Sequence, residues 1–206
     1  MSGVDLYVAL ALGIGLAAAS GFRVFIPPFL YGLATRFELN PTAFAGSDMQ
    51  AWMASDVGLT VLGAAVVCEL LAYYIPWLDN LLDAIASPAA VIGGMILMSS
   101  SLGELDPVLR WSTSIIVGGT TSGTVQVSTV GIRALSTAST GGLGNPIVST
   151  VEAGACLVCT VLALLLPVLA MVLVVAGLVV GGRWLLRRRS KMGEDGAALV
   201  STNPQA

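Results

Sequence analysis

The sequence contains no histidine, and charged residues make up only 10% of its 206 residues. Soluble globular domains carry about 25% charged residues, so a chain with so few charges cannot cover itself with a solvated surface. Hydrophobic residues make up 56% of the chain, and the mean hydropathy is +0.90. The composition therefore predicts an all-α integral membrane protein with a single membrane domain.

The sequence also lacks the motifs that usually carry covalent chemistry. It has no Gly-x-Ser-x-Gly, no phosphate-binding loop and no set of carboxylates at metal-ligand spacing. Cys156 and Cys159 form a C-x-x-C, but no second pair accompanies them, so we interpret both as packing residues. We predict no cofactor, no metal site and no enzymatic activity. A membrane enzyme that acts on lipid is the weakest alternative.

Basic residues are scarce until a cluster near the end of the chain. The cluster consists of Arg183, Arg187, Arg188, Arg189 and Lys191. Lys and Arg next to a span are retained in the cytoplasm, so the cluster predicts a cytoplasmic C-terminus. Residues 191–206 are polar and are predicted to be a disordered tail. No basic face or stripe is present, and nucleic acid is therefore not an expected partner.

Apolar stretches and their interruptions predict about six transmembrane helices. The predicted helices cover residues 5–20, 58–74, 88–102, 111–135, 148–165 and 168–186, with a loop over 36–56 and an amphipathic interfacial turn over 76–83. The interruptions are Pro27 and Pro28 in the segment 21–35, and Gly141, Gly142, Asn145 and Pro146 in the segment 136–147. Because proline removes an intrahelical donor, both segments are predicted to be broken or re-entrant helices.

Two ordered matches indicate an internal duplication. Residues 19–34 align with 129–144, which places Arg23 on Arg133, and residues 63–76 align with 154–167, which places Glu69 on Thr160. The predicted repeats cover 1–103 and 104–190, with three spans each. An odd number of spans gives the two repeats opposite orientations, as in the inverted repeats of many secondary transporters. The alternative is chance matching in a chain rich in Ala, Leu, Val and Gly.

Four charged residues fall within or beside apolar stretches: Arg23, Glu69, Arg133 and Glu152. A charge at a helix centre costs at least about 2.5–3.5 kcal/mol and needs a reason. The two arginines either bind a carboxylate or phosphate together, or each pairs with an acid or reaches the headgroups. Glu69 is either a proton relay or a counter-charge. Glu152 either supports a helix N-terminus or lines a polar cavity.

The predicted fourth span is rich in glycine, serine and threonine, which makes it a poor lipid-facing surface. Such a helix is expected inside the bundle, where small residues allow close approach and hydroxyls find partners. We expect Thr120, Thr121, Thr124 and Gln126 to line a polar site together with the four charged residues. In the alternative, this span is a packing or oligomer surface.

Three segments of the chain resemble a known family. They are Ala-Ser-Gly-Phe-Arg-Val-Phe-Ile-Pro-Pro, Tyr-Ile-Pro-Trp-Leu-Asp-Asn-Leu-Leu-Asp and Ser-Thr-Gly-Gly-Leu-Gly-Asn-Pro-Ile-Val-Ser-Thr-Val-Glu. Over residues 5–185 the chain resembles the bacterial membrane-protein family of domain of unknown function 4126. The resemblance implies a multi-pass protein of the bacterial inner (plasma) membrane, and it supplies no activity.

These features together predict a small membrane transporter or permease for an anionic solute or a lipid headgroup. It would work by alternating access between the inverted repeats. Its expected partners are the lipid bilayer, that solute or lipid, and further copies of the chain in a homo-oligomer. The alternative is a non-transporting scaffold or assembly protein that packs through the fourth span. A channel is a further alternative.

Overall fold

The structure, a computed structural model, describes residues 3–39, 47–72 and 75–183, without the side chains of 76–83. Every regular element in these ranges is a helix. They are α1 (Gly3–Phe22), α2 (Ile26–Arg36), α3 (Asp48–Ala54), α4 (Asp56–Ala72), α5 (Pro76–Ser101), α6 (Pro107–Thr113), a π-helical turn (Ser114–Gly119), α7 (Thr120–Thr140), α8 (Asn145–Leu165) and α9 (Pro167–Arg183). The chain divides into a compact unit, Met1–Met171, and a second unit, Val172–Ala206, whose described part is the rest of α9.

Three helices are long and apolar enough to cross a membrane: α1, the part of α5 from Ala84 to Ser101, and α8. α3 and α4 together make a fourth candidate, which is bent by 72° and is either a broken span or a re-entrant loop. α9 is apolar but shorter. The described residues therefore hold three or four candidate spans, and the six spans and the inverted repeat stay predictions. Most of the predicted basic cluster and the predicted tail lie outside the described residues.

Two elements differ from the predicted boundaries. α3 lies in the segment 36–56, which we predicted to be a loop, and it begins after Ser47, whose Oγ accepts a hydrogen bond from the backbone N of Gln50 at 3.1 Å. α5 joins the predicted interfacial turn and the predicted third span into one helix, with Pro88 inside it. A helix in a membrane tolerates proline because its neighbours compensate for the missing hydrogen bond.

α1 is the central helix of the unit Met1–Met171 and packs against α5, α7 and α8. Its small residues allow this close packing. A Cβ added to Gly15 would lie 2.7 Å from the Cβ of Ala163, and one added to Gly21 would lie 2.5 Å from the backbone O of Ser122. α4 packs against α2 and α3 and has little contact with α5.

The outside of these helices carries many large apolar side chains, whereas several charged and polar side chains lie inside. Val67, Leu71, Leu135 and Val151 are each more than half exposed, while all four charged residues singled out above are buried. In lipid, apolar side chains face the solvent and polar groups find their partners between helices. This arrangement agrees with the membrane class predicted from composition.

Candidate functional site

The candidate site is built around a break between α1 and α2. α1 ends at Phe22 and α2 begins at Ile26, so the chain leaves the helical path over residues 23–25. Pro27 and Pro28 lie in the first turn of α2. The N–H groups of a first turn have no intrahelical acceptor, so proline is well tolerated there. The prolines therefore start the second helix, and the break comes just before them.

Glu69 accepts hydrogen bonds from the backbone amides at this break. Its Oε1 accepts a hydrogen bond from the backbone N of Val24 at 2.8 Å, and its Oε2 accepts one from the backbone N of Phe25 at 3.2 Å. A buried amide without an acceptor costs about 1–3 kcal/mol. α4 thus supplies the acceptors for the donors that the interruption exposes, and the charge of Glu69 is also favourable at the N-terminus of α2.

Arg23 extends from the break to α8. Its Nη2 donates to the backbone O of Ser149 at 2.8 Å and to the Oγ of Ser149 at 2.5 Å, and it lies 3.7 Å from Oε2 of Glu152. Arg23 is 1% exposed. Ser149 was not among the site residues that the sequence predicted. Its position three residues before Glu152, on the same face of α8, is a signal that could have identified it.

Arg133 and Glu152 complete the cluster. The Nε of Arg133 donates to the two carboxylate oxygens at 3.1 and 3.0 Å, and its Nη2 donates to Oε2. This fork geometry matches a carboxylate. Glu152 therefore binds both arginines, and the charges of both arginines also attract Glu69. The structure brings together all four charged residues that the sequence singled out, as a charge cluster of Arg23, Glu69, Arg133 and Glu152.

The charge cluster contains two cations and two anions, and all four side chains are buried. Buried charges persist only when they are paired, and this cluster is balanced. The two interpretations left open by the sequence therefore share one geometry. In the structure the arginines pair with an acid, and binding of an external carboxylate or phosphate by the same guanidiniums stays a prediction.

The four polar residues predicted to line the site divide between two faces of α7. Thr121 and Gln126 are buried, and the Nε2 of Gln126 donates to the Oγ of Ser87 on α5 at 3.4 Å. Thr120 and Thr124 are exposed on the outer face and do not line the charge cluster. The Oγ1 of Thr124 donates to the backbone O of Thr120. A hydroxyl bonded within its own helix needs no buried partner, so its polarity did not predict burial.

The second predicted break is a turn between α7 and α8. Gly141 and Gly142 have φ angles of 64° and 91°, and α8 then begins at Asn145 with Pro146 in its first turn. Asn145 is buried, and its Nδ2 donates to the Oγ1 of Thr137 at 3.0 Å. Arg133 lies about two turns before this break, inside α7. The turn therefore does not contribute to the charge cluster.

The two cysteines of the C-x-x-C lie in the packing between α8 and α1. The Sγ of Cys156 donates to the backbone O of Ala19 at 3.3 Å, and the Sγ of Cys159 donates to the backbone O of Gly15 at 3.6 Å. Both are free thiols. Within the described ranges, no group of three or more His, Cys, Asp or Glu residues is placed to hold a metal ion.

A family model, described as Domain of unknown function (DUF4126), matches residues 10–188. The match covers most of the chain, so the chain belongs to this family, and the resemblance inferred from its three segments is confirmed. No curated protein matches the chain, and no solved structure matches it.

Proposed function

We propose that this member of the DUF4126 family is a small membrane transporter or permease whose substrate is an anionic solute or an anionic lipid headgroup. Arg23 and Arg133 bind the substrate. The observation that carries the proposal is the carboxylate of Glu152, which lies against both guanidiniums in the protein interior. Glu152 behaves as an internal anion that holds the site until a substrate anion replaces it.

Charge balance constrains this exchange. The charge cluster is neutral, and an added anion would leave a net negative charge in a buried place, which is costly. The cost is avoided when a proton enters together with each negative charge. The proposal therefore couples each negative charge of the substrate to one proton, with Arg23 and Arg133 on the anion.

The position of the charge cluster supports alternating access. Arg23 and Glu69 belong to the predicted repeat 1–103, and Arg133 and Glu152 belong to the predicted repeat 104–190. The contacts of Arg23 with Ser149 and Glu152 therefore cross from one predicted repeat to the other. Secondary transporters built from inverted repeats place their sites at such an interface, where helices are broken. Movement of one repeat against the other would expose the arginines to each side in turn.

A charge-neutral double substitution separates transport from folding. Arg133→Gln combined with Glu152→Gln removes one charge of each sign. The full chain is reconstituted in proteoliposomes, and uptake of radiolabelled phosphate, glycerol phosphate and small carboxylates is measured under a pH gradient. We expect the unsubstituted protein to take up at least one of these anions and the double variant to take up none.

The matched control changes an exposed ion pair in the same way. The Nη1 of Arg36 lies 2.7 Å from the Oδ1 of Asp56, and both side chains are exposed. Arg36→Gln with Asp56→Asn should leave uptake unchanged. Uptake by the Arg133/Glu152 double variant at the unsubstituted rate would contradict the proposal, as would the absence of uptake of every anion by the unsubstituted protein.

A scaffold is the second candidate function, and the outer face of α7 favours it. Thr120, Thr124, Ser128 and Gly131 are exposed along this face, and a Cβ added to Gly131 would contact nothing. Small and hydroxyl-bearing residues on a membrane helix favour close contact with another helix. Gly131→Leu and Thr124→Leu would then dissociate an oligomer in detergent, measured as molecular mass in solution. Unchanged mass would count against a scaffold.

A further inference from the structure

A groove follows one face of α5 through the unit Met1–Met171. It consists of three cavities of about 330, 280 and 240 Å³. The first and second share the walls Val24, Phe25 and Ala89, and the second and third share Met49 and Ile96. The three cavities therefore adjoin one another along α5, and we refer to them together as the groove.

α4 has little contact with α5, which leaves the first cavity open between them, and the other two lie between α5 and neighbouring helices. Eight residues of α5 line the groove, and five of them, Ile85, Ala89, Ile92, Ile96 and Ser99, recur every three or four positions, with Ala86, Gly93 and Leu97 beside them. They form one helical face. Ile85 and Ile92 are 60% and 55% exposed. From Ile85 to Ser99 this face is about 21 Å long at 1.5 Å per residue, which exceeds one leaflet of hydrocarbon, about 15 Å.

The two ends of the groove differ in polarity. The inner end is the first cavity, beside Glu69, and the middle is the second. Both are lined almost entirely by apolar side chains, and the carboxylate oxygens of Glu69 are hydrogen-bonded to the backbone of Val24 and Phe25. The outer end is the third cavity. It is lined by Ser47, Asp48, Ser99, Arg110 and Trp111 together with Met49 and Ile96. The groove thus has the polarity of an amphiphile with one headgroup and one apolar chain.

Arg110 is the cation of the outer end. Its Nη1 donates to the backbone O of Gly103 at 3.4 Å, and its Nε is buried without a hydrogen-bond acceptor. Among the described residues it forms no ion pair. A buried donor without an acceptor is unfavourable, and a phosphate oxygen is a strong acceptor for a guanidinium. Trp111 beside it is 45% exposed, which suits the headgroup level of a membrane.

We infer that this groove binds a phospholipid of the surrounding bilayer, with the phosphate at Arg110 and one acyl chain along α5. Asp48 lines the same end, so a headgroup with an ammonium group beside its phosphate complements both charges. The occupant is therefore an aminophospholipid. This inference goes beyond the proposed transport function, because the groove lies on the α4–α5 side of the break and binds lipid whether or not the arginines carry an anion.

The test uses quenching of tryptophan fluorescence in the full chain in detergent. Trp52 lines the middle of the groove, and Trp77→Phe, Trp184→Phe and Trp111→Phe leave it as the only reporter, the last of these keeping an aromatic ring at the outer end. Phosphatidylethanolamine with brominated acyl chains is titrated in. We expect quenching that saturates at about one lipid per chain. Arg110→Gln should raise the half-saturating lipid concentration about tenfold or more, since it removes charge-assisted hydrogen bonds.

Two matched substitutions locate the acyl chain. Ala89→Phe fills the wall shared by two cavities and should abolish the saturable quenching, whereas Ala84→Phe, an exposed position outside the groove, should leave it unchanged. Brominated phosphatidylglycerol should bind more weakly than phosphatidylethanolamine, and Asp48→Asn should remove that difference.

Three results would overturn the inference. One is quenching that rises without saturation and equally in all variants, as expected for lipid that only surrounds the protein. Another is equal binding by the Arg110→Gln variant. The third is a stable dimer that Ala89→Phe dissociates, which would assign the groove to a second copy of the chain. The Arg133/Glu152 double variant should still bind the lipid, so a failure of transport and a failure of this inference are distinguishable.

Discussion

Both interruptions leave backbone N–H groups without a partner in the helix, and the protein satisfies them differently at the two places. The first, at residues 23–25, is largely buried, and its amides bind the carboxylate of Glu69 from another helix. The second, at residues 141–144, is exposed or half-exposed, and two glycines with positive φ make the turn. At the exposed break glycine makes the turn, and the backbone N of Gly144 donates to the Oγ1 of the nearby Thr140 at 3.0 Å. A buried break needs an acceptor, and this acceptor brings a charge into the protein.

This difference explains why the predicted repeat is not symmetric at Glu69. Its counterpart in the alignment is Thr160, which is buried and whose Oγ1 donates to the backbone O of Cys156 at 2.7 Å in its own helix. Arg133, the counterpart of Arg23, lies inside a continuous α7, so no open amides lie beside it. An acid at position 160 would have no backbone donors to satisfy. Glu69 is therefore specific to the buried break.

The largest loss of stability should come from Glu69→Ala. The amides of Val24 and Phe25 lose their acceptors, at about 1–3 kcal/mol each, and the arginines lose a counter-charge. Thr160→Val is the matched control and should cost about 1 kcal/mol or less, because it removes one hydrogen bond within a helix and nearly keeps the volume of the buried side chain. Thermal unfolding in detergent, followed by circular dichroism, compares the two. Equal losses would show that the acid does not support the break.

Glu152→Gln should cause the next largest loss of stability, because it leaves two buried guanidiniums without their shared carboxylate. The expected loss is about 3–5 kcal/mol of the free energy of unfolding. Arg133→Gln in the same chain should recover part of this loss because it restores the balance of charge. The measurement is a double-mutant cycle of unfolding free energies. Additive losses would mean that the two side chains do not depend on each other.

Smaller changes in stability are expected at Gly21 and Gly131, which the predicted repeat aligns, and they should differ in sign. A Cβ on Gly21 would lie 2.5 Å from the backbone O of Ser122 and 2.6 Å from the Cβ of Val125, whereas a Cβ on Gly131 would contact nothing. Gly21→Ala should cost about 1–3 kcal/mol through overpacking. Gly131→Ala should stabilise the helix by about 0.5–1 kcal/mol. Unfolding midpoints of the two variants give the comparison, and a stabilised Gly21→Ala variant would refute the close contact of α1 with α7.

A similarly small change in stability, with no change in uptake, is expected at the exposed turn. Gly141→Ala places a side chain at φ 64°, which costs about 1–2 kcal/mol in the left-handed region. Anion uptake should be unchanged, because the turn does not contribute to the charge cluster. Unfolding and uptake are measured on the same preparation. Lost uptake with unchanged stability would assign the turn a direct role in transport.

Much of this architecture was predictable, and the exceptions have physical causes. Proline and glycine mark both interruptions, and the cost of buried charge singled out all four members of the cluster. Sequence polarity did not predict that Thr120 and Thr124 face outward, because their helix can satisfy hydroxyls internally. α3 was missed although Ser47 and Gln50 have the spacing of a helix N-terminus. Long-range pairings, such as Arg23 with Ser149, depend on how helices pack and leave no local pattern.

The most direct measurement asks whether water reaches the charge cluster from both sides. In a chain in which Cys68, Cys156 and Cys159 are replaced, Ser149→Cys places a thiol beside Arg23, and Ser139→Cys provides an exposed reference. Sealed vesicles of both orientations are treated with a membrane-impermeant thiol reagent. Labelling of Ser149→Cys from each side, slowed by the transported anion, is the predicted result. Labelling of Ser139→Cys from one side, with Ser149→Cys protected from both, would show that the cluster is sealed packing and would contradict the account.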